Sequence, residues 1–321
     1  MRPLSTKSSE MTRVARASRT GCTNDGTHTM STEEEMEAGR KRNEYFANLG
    51  RREPTVPPNK PSGGKMIETA ATAEPAPGKR QAPSAKQSGL STGQENAGGA
   101  VGHKTTDDEI AQFMARVVPW PESSDAPGYI NLHYTFWNGG EPPIKAPWAG
   151  VPTRTVEEFM KALKRVREQK STRDIYLCLS LQSQTRLNKR GRVVAARSTL
   201  NALALKAIWL DIDVKEPPKG YATIDDATNA LNDFCKAMDL PPPNALVFSG
   251  GGLHVYWIND TPLSPEEWKR YAEGLKAAAI KFGLKCDAGC TTDAARVLRV
   301  PGTFNYKKQP RRPVSLERND D

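Results

Sequence analysis

The chain has 321 residues, 46 of them Lys or Arg against 37 Asp or Glu, for a formal net charge of +9. A basic excess of that size permits nucleic-acid binding. No apolar run approaches the roughly 18 residues that a membrane-spanning helix needs, which excludes an integral helical membrane protein and predicts no membrane partner. Five cysteines, Cys22, Cys178, Cys235, Cys286 and Cys290, are an odd number with no secretory leader beside them. They predict free thiols in a reducing cytoplasm.

Two unequal parts follow from composition. Residues 1–106 are rich in Ser, Thr, Gly, Pro, Ala and Lys, with too few large apolar residues to offset the entropy of ordering them. They are expected to form a disordered low-complexity tail. Within it, Thr32–Leu49 has the composition of one helix, acids first and basics later, but too little apolar face to make a domain. This part carries 16 basic and 11 acidic residues, so the charge excess is not concentrated in the remainder.

Residues 107–321 are expected to form the folded domain. Asp107–Val118 reads as a capped amphipathic helix ending before Pro119. Tyr129–Trp137 alternates like a strand, with His133 as a structural residue. Gly139–Pro152, rich in Gly and Pro, predicts a loop. A helix over Thr155–Gln169 and a strand over Asp174–Ser180 come next. A polar segment from Gln182 to Arg197 then holds Arg186, Lys189, Arg190, Arg192 and Arg197. Cations at that density suit phosphate; a solvated hairpin around Asn188–Gly191 explains them equally well.

In Lys206–Val214, KAIWLDIDV, the apolar run Ala207–Leu210 predicts a buried strand. Residues i and i+2 of a strand share a face, so Asp211 and Asp213 point together while Ile212 turns back to the core. Neighbouring carboxylates repel unless a cation lies between them, and oxygen ligands suit Mg²⁺ or Mn²⁺. Two solvated acids at a strand end are the plainer alternative. A helix over Ile224–Met238 precedes two short strands, Ala245–Phe248 and Leu253–Ile258, around Ser249-Gly250-Gly251-Gly252. Consecutive glycines let a backbone approach a ligand and offer amide groups to phosphate; a hairpin turn beside a core histidine is the simpler account. His254 and Tyr256 share one strand face.

Ser264–Phe282 predicts a helix with a Ser264/Glu267 capping box. Trp268, Tyr271, Leu275 and Ala279 lie on its core face. Cys286–Lys308 then supplies Asp287, Asp293, Arg296 and Arg299, with strands at Arg296–Val300 and Val314–Leu316. The guanidinium fork pairs well with phosphate. Cys286 and Cys290 are spaced C-x3-C without a second ligand pair, which argues against zinc. Lys307, Lys308, Arg311 and Arg312 form a last basic cluster.

The order D-x-D, then G-G-x-H-x-Y-W, then an acid followed by R-x-x-R-V-P-G-T-x-N resembles the archaeo-eukaryotic primase superfamily, in its primase–polymerase branch of phages, plasmids and mobile elements. The resemblance spans roughly Asp174 to Leu316. It implies an α/β (α+β) domain whose mixed, mainly antiparallel sheet is related to the RNA-recognition fold, with an N-terminal α/β unit and a cleft between the two. It also implies that Asp211, Asp213 and Asp287 bind metal, with Asp293 competing for the third place, and that His254 contacts nucleotide. Ser249–Gly252, Arg296, Arg299, Arg197 and Lys206 would complete the nucleotide site. Lys189, Arg190, Arg192, Lys307, Lys308 and Arg311 would hold DNA backbone. The implied function is primer synthesis on single-stranded DNA from NTPs or dNTPs by two Mg²⁺ or Mn²⁺ ions. The alternatives are a non-catalytic replication protein that keeps the fold and a metal-dependent nuclease. No G-x-x-x-x-G-K-[ST] occurs, so unwinding is expected of a separate helicase or initiator.

Overall fold

The computed structural model describes residues 41, 44–46, 48–52, 104–137 and 146–317. The rest of the expected tail, with Cys22, and the first half of the expected loop, residues 139–145, lie outside the described residues. Helix α1 (Asp107–Val117) begins at a capping box in which the Thr106 hydroxyl accepts from the Glu109 amide and the Glu109 carboxylate accepts from that of Thr106. Ile110, Phe113, Met114 and Val117 recur at helical spacing and are buried.

A first, four-stranded sheet places β1 (Ile130–Phe136) between β2 (Trp148–Thr153) and β3 (Thr172–Cys178). β10 (Val297–Arg299) pairs with the outer side of β3. Helix α2 (Val156–Glu168) packs on this sheet through Phe159, Ala162, Leu163 and Val166. β2 corrects the expectation of an unbroken loop over Gly139–Pro152. It is an edge strand, and Pro152, which cannot donate a ladder bond, is tolerated there. His133 on β1 is buried as a structural residue, its Nε2 unpartnered. Burial and the nearby Arg197 and Arg186 push its pKa down to about 4.

The chain crosses to a second sheet at the buried Leu179. That six-stranded sheet runs β11-β12-β8-β9-β7-β4, formed by β4 (Ser180–Gln182), β7 (Ala202–Asp213), β8 (Ala245–Phe248), β9 (Gly252–Leu263), β11 (Thr303–Asn305) and β12 (Arg312–Glu317). Every named strand pair is antiparallel. The fold is therefore the mixed α+β, mainly antiparallel architecture expected. Within Gln182–Arg197 lies a small hairpin, β5 (Thr185–Leu187) and β6 (Val193–Ala195). Its turn is closed by the Asn188 carboxamide oxygen, which accepts from the Arg190 and Arg192 amides.

Helices α3 (Ile224–Ala237) and α4 (Pro265–Phe282) complete the core, followed by the single turn α5 (Ala288–Thr291). α4 starts at the expected Ser264/Glu267 box and buries Trp268, Tyr271, Leu275 and Ala279. Three tryptophans fill the centre, and none leaves its indole N–H unpaired, the condition for burying that group. Trp209 donates to the Cys290 carbonyl, Trp257 to Pro241 and Trp268 to Ala207.

Residues 44–46 and 48–52 lie within the stretch expected as tail, yet they pack on this core. Phe46 and Leu49 are fully buried, and the Phe46 ring meets Trp257 edge-on at 6.0 Å. The Tyr45 hydroxyl donates to the Met238 carbonyl, and the Lys281 ammonium donates to that of Arg52 at 3.0 Å. Two large apolar side chains one turn apart make too short a stripe to register as amphipathic, but they suffice where a groove receives them.

Candidate functional site

The D-x-D sits at the end of β7, where β9 pairs with it residue for residue: Asp211 opposite His254 and Asp213 opposite Gly252. Period-two alternation puts Asp211, Asp213 and His254 on one face, while Ile212 is fully buried on the other. The glycines make this close pairing possible. A Cβ on Gly252 would lie 2.1 Å from the Ile212 carbonyl oxygen. Gly250 has φ +70°, in the left-handed region. The loop is fixed by the Ser249 amide and hydroxyl donating to Gly252 O and by the Asn305 amide donating to Ser249 O at 3.0 Å.

Asp287 is brought to Asp211 by a backbone bond, its amide donating to the Asp211 carbonyl at 2.8 Å. As the N-cap of α5, its Oδ1 accepts from the Gly289 and Cys290 amides, each at 3.1 Å. The Arg296 guanidinium lies 2.9 Å from Asp287 Oδ2 and 3.5 Å from Asp211 Oδ2. Lys215 pairs with Asp213 at 2.5 Å. Asp293 accepts from the Ala295 amide and lines the same cavity.

Burial and the adjacent Asp213 push the Asp211 pKa up to about 6, with Asp287 adding to the rise and Arg296 opposing it. His254 Nε2 is 3.9 Å from Asp211 Oδ1. Burial, reinforced by Arg299 and Arg296, takes its pKa down to about 3, and its Nδ1 is buried without a partner. The imidazole is thus neutral near pH 7, a hydrogen-bonding group rather than the cation that charge-offset at phosphate would need.

The donor set suits a hard dication. Ligand atoms of Asp211, Asp287 and Cys290 lie within 4.8 Å of one another. Burial raises the Cys290 thiol well above its ordinary range, and the two carboxylates are the oxygen groups of this set that could hold Mg²⁺ or Mn²⁺. The Arg296 guanidinium, paired with both acids, offsets part of their negative charge.

These residues share a cavity of about 540 Å³. Of the sequence-derived candidates it gathers Asp211, Asp213, Asp287, Asp293, His254, Ser249, Gly251, Arg197, Arg296, Arg299, Lys307 and Lys308. Lys206, Gly250, Gly252, Lys189, Arg190, Arg192 and Arg311 are not among its lining residues; Lys189, Arg190 and Arg192 occupy the exposed tip of the β5–β6 hairpin. Some groups in and behind the cavity wall were not among the sequence-derived candidates. Asp174 accepts from Arg299 Nε and Nη2 at 3.2 and 3.0 Å and so orients it. Asn305 buttresses the glycine loop, and Trp148 stacks on Tyr176 at 5.1 Å at the cavity wall. Strand alternation marks Asp174 and Tyr176 as sharing a face, but nothing in it indicates Arg299, 125 positions on.

No known family's sequence profile matches the chain. Over 111 residues it is 32% identical to a replication protein of Clostridium perfringens, a match covering 34% of this chain and 26% of that protein. The chain thus spans about a quarter of the relative's length. Among solved structures, it is similar to the AEP domain of the cyanophage S-2L primase-polymerase, with 16% identity and a TM-score of 0.36 over 58% of this chain and 80% of that one. A likeness that distant carries no assignment.

Proposed function

We propose that the chain is a metal-dependent nucleotidyltransferase that makes primers on single-stranded DNA for replication. The observation that carries this reading is the meeting of Asp211, Asp213 and Asp287 with six cationic side chains, Arg197, Lys215, Arg296, Arg299, Lys307 and Lys308, in one cavity. Carboxylates beside a set of cations match a nucleoside triphosphate that arrives with its own metal. The 111-residue similarity to a replication protein points the same way.

In the reaction, the 3′ hydroxyl gives up its proton to water, the bond from its oxygen to the α-phosphorus forms, the bond from that phosphorus to the bridging oxygen breaks, and pyrophosphate leaves. Asp211, Asp213 and Asp287 would hold divalent metal, which supplies charge to the attacking and leaving oxygens. Arg299, oriented by Asp174, together with Lys307, Lys308 and Arg197, would bind the triphosphate. Arg296 would exchange its acids for phosphate as metal takes its place. Neutral His254 donates or accepts a hydrogen bond at the nucleotide, and the Ser249–Gly251 loop brings backbone close to it. Trp148 on Tyr176 closes one wall.

Primer synthesis on circular single-stranded DNA, with labelled NTPs or dNTPs and Mn²⁺ or Mg²⁺ but no added primer, tests this. Wild type is expected to give short products and Asp211→Asn/Asp213→Asn none, a loss beyond about a thousandfold for a site built on charge stabilisation. Intact DNA binding without products in any format would move the assignment to a non-catalytic replication protein.

A further inference from the structure

Next to the candidate active site, arginines and aromatic rings alternate across β3 and the β11–β12 hairpin. The Arg173 guanidinium lies 5.2 Å from the Trp137 ring centre and 5.4 Å from that of Tyr306. Arg311 lies 5.6 Å from Tyr306 and 4.4 Å from Phe304. The order in space is therefore Trp137, Arg173, Tyr306, Arg311, Phe304. Energetically significant contacts of this kind occur about once in 70–80 residues of a typical protein; here four share five side chains. Both cations are oriented: Arg173 Nη1 donates to the carbonyls of Lys170 and Thr172, and Arg311 Nη1 donates to the Tyr306 hydroxyl at 2.9 Å.

Packing alone does not account for this arrangement. The end rings reach solvent, Trp137 being 43% and Phe304 39% exposed, whereas Trp209, Trp257 and Trp268 are buried. Arg173, Tyr306, Arg311 and Phe304 line, with Arg167 and Lys170, a cavity of about 440 Å³ whose single lining acid is Glu168. Arg167 is already paired with Asp107, which leaves Lys170, Arg173 and Arg311 as its principal positive charges. The row is also joined to the candidate active site. The Tyr306 amide donates to Asp174 Oδ1, the same oxygen that receives Arg299, and Lys307 and Lys308, next in the chain, line the catalytic cavity.

We propose that this row is a sequence-neutral track for single-stranded DNA leading to the active site, with bases stacking on Trp137 and Phe304 and phosphates meeting Lys170, Arg173 and Arg311. Stacking on rings combined with a basic groove is how unpaired strands are held without reading sequence. The inference rests on the proposed nucleic-acid function for its ligand, but it concerns binding and needs no metal.

Fluorescence anisotropy of a labelled oligothymidylate in EDTA separates the two. Trp137→Ala/Phe304→Ala is expected to weaken binding roughly tenfold or more, while Asp211→Asn/Asp213→Asn, which removes two acids and no cation or ring, is expected to bind no more weakly than wild type. Trp137→Phe/Phe304→Tyr, which keeps both rings, is expected to retain affinity and guards against a folding defect in the alanine variant. Undiminished binding by the alanine variant overturns the track and leaves the nucleotidyltransferase reading standing. Equal competition by blunt duplex DNA, whose bases cannot stack on the rings, overturns it too. A wild type that makes primers but has no measurable affinity for the oligonucleotide overturns the track alone; one that does neither overturns both.

Discussion

Asp211 ionises in the folded chain against the burial of its own carboxyl and the charge of a neighbouring acid. Its side chain is only 18% exposed, and burial with the charge of Asp213 pushes its pKa to about 6 from an ordinary 3.8. The direction of the pH effect follows. Below both values the group is protonated in folded and unfolded chains alike and costs nothing. As pH rises from about 4 to 6, the unfolded chain loses its proton first, so folding stability falls, and above about 6 the loss is constant. The shift corresponds to about 3 kcal/mol. Asp211→Asn removes it, so in EDTA this variant is expected to exceed wild type in stability by about that much at pH 7–8. The advantage should fade towards pH 4, as read by urea denaturation at several pH values. His254 titrates the opposite way: held neutral with a pKa near 3, it loses stability as pH falls below its ordinary range. The two effects offset each other in wild type, which is why the single variant is the informative protein. A variant less stable than wild type at pH 8 would show that Asp211 is held by its partners rather than repelled by its neighbours.

At the scale of elements, the docked residues 44–49 are the clearest case of a short segment fixed by tertiary contact. Phe46 fills a site against Trp257, and truncating a buried phenylalanine costs about 3–5 kcal/mol. Because the segment is short and peripheral, that cost should appear as local release rather than global unfolding. Phe46→Ala is expected to speed tryptic cleavage at Arg51–Arg52 roughly tenfold or more, with the far-ultraviolet circular dichroism of the protein intact. Unchanged cleavage would mean that Tyr45 and Leu49 hold the segment without it. The same consideration explains what could be read in advance. α1, α2, α3 and α4 run eleven residues or more with buried positions at helical spacing, so their period stands out. β2, β5, β6 and β11 run three to six residues, too few alternations to separate a strand from a loop. Pairing makes them strands: β5 with β6, β11 with β12 and β2 with β1. The β7 and β9 part of the candidate site was legible because spacing along a strand dictates direction: Asp211 with Asp213, and His254 with Tyr256. What aligns the two strands, and what joins Arg299 to Asp174, is register and crossover, which no local pattern encodes.

For the molecule as a whole, the decisive feature is that the two sheets are interlocked. The chain passes from β3 to β4 through Leu179, lays down four strands of the six-stranded sheet, and returns in β10 to pair with β3 before completing that sheet with β11 and β12. Asp211 belongs to the second sheet, Arg299 to the first, and Arg296 stands just before the returning strand, so the cavity lies where the sheets are joined. A dication held by Asp211 and Asp287 would relieve the repulsion described above and bind only the folded chain, because the unfolded chain does not bring these acids together. At a hundred times its dissociation constant, such a ligand adds about 2.7 kcal/mol. In a domain of this size each kcal/mol moves the melting temperature by about 2–4 °C. Mn²⁺ is therefore expected to raise the wild-type melting temperature at pH 7.5 by roughly 5–10 °C over EDTA. Near pH 5 the rise should shrink, as protons compete for Asp211. Asp211→Asn/Asp213→Asn should melt at the same temperature with or without the ion. An equal rise in that double variant would place the bound ion away from these carboxylates, and the cations of the cavity would then need an anionic partner other than a metal-bound triphosphate.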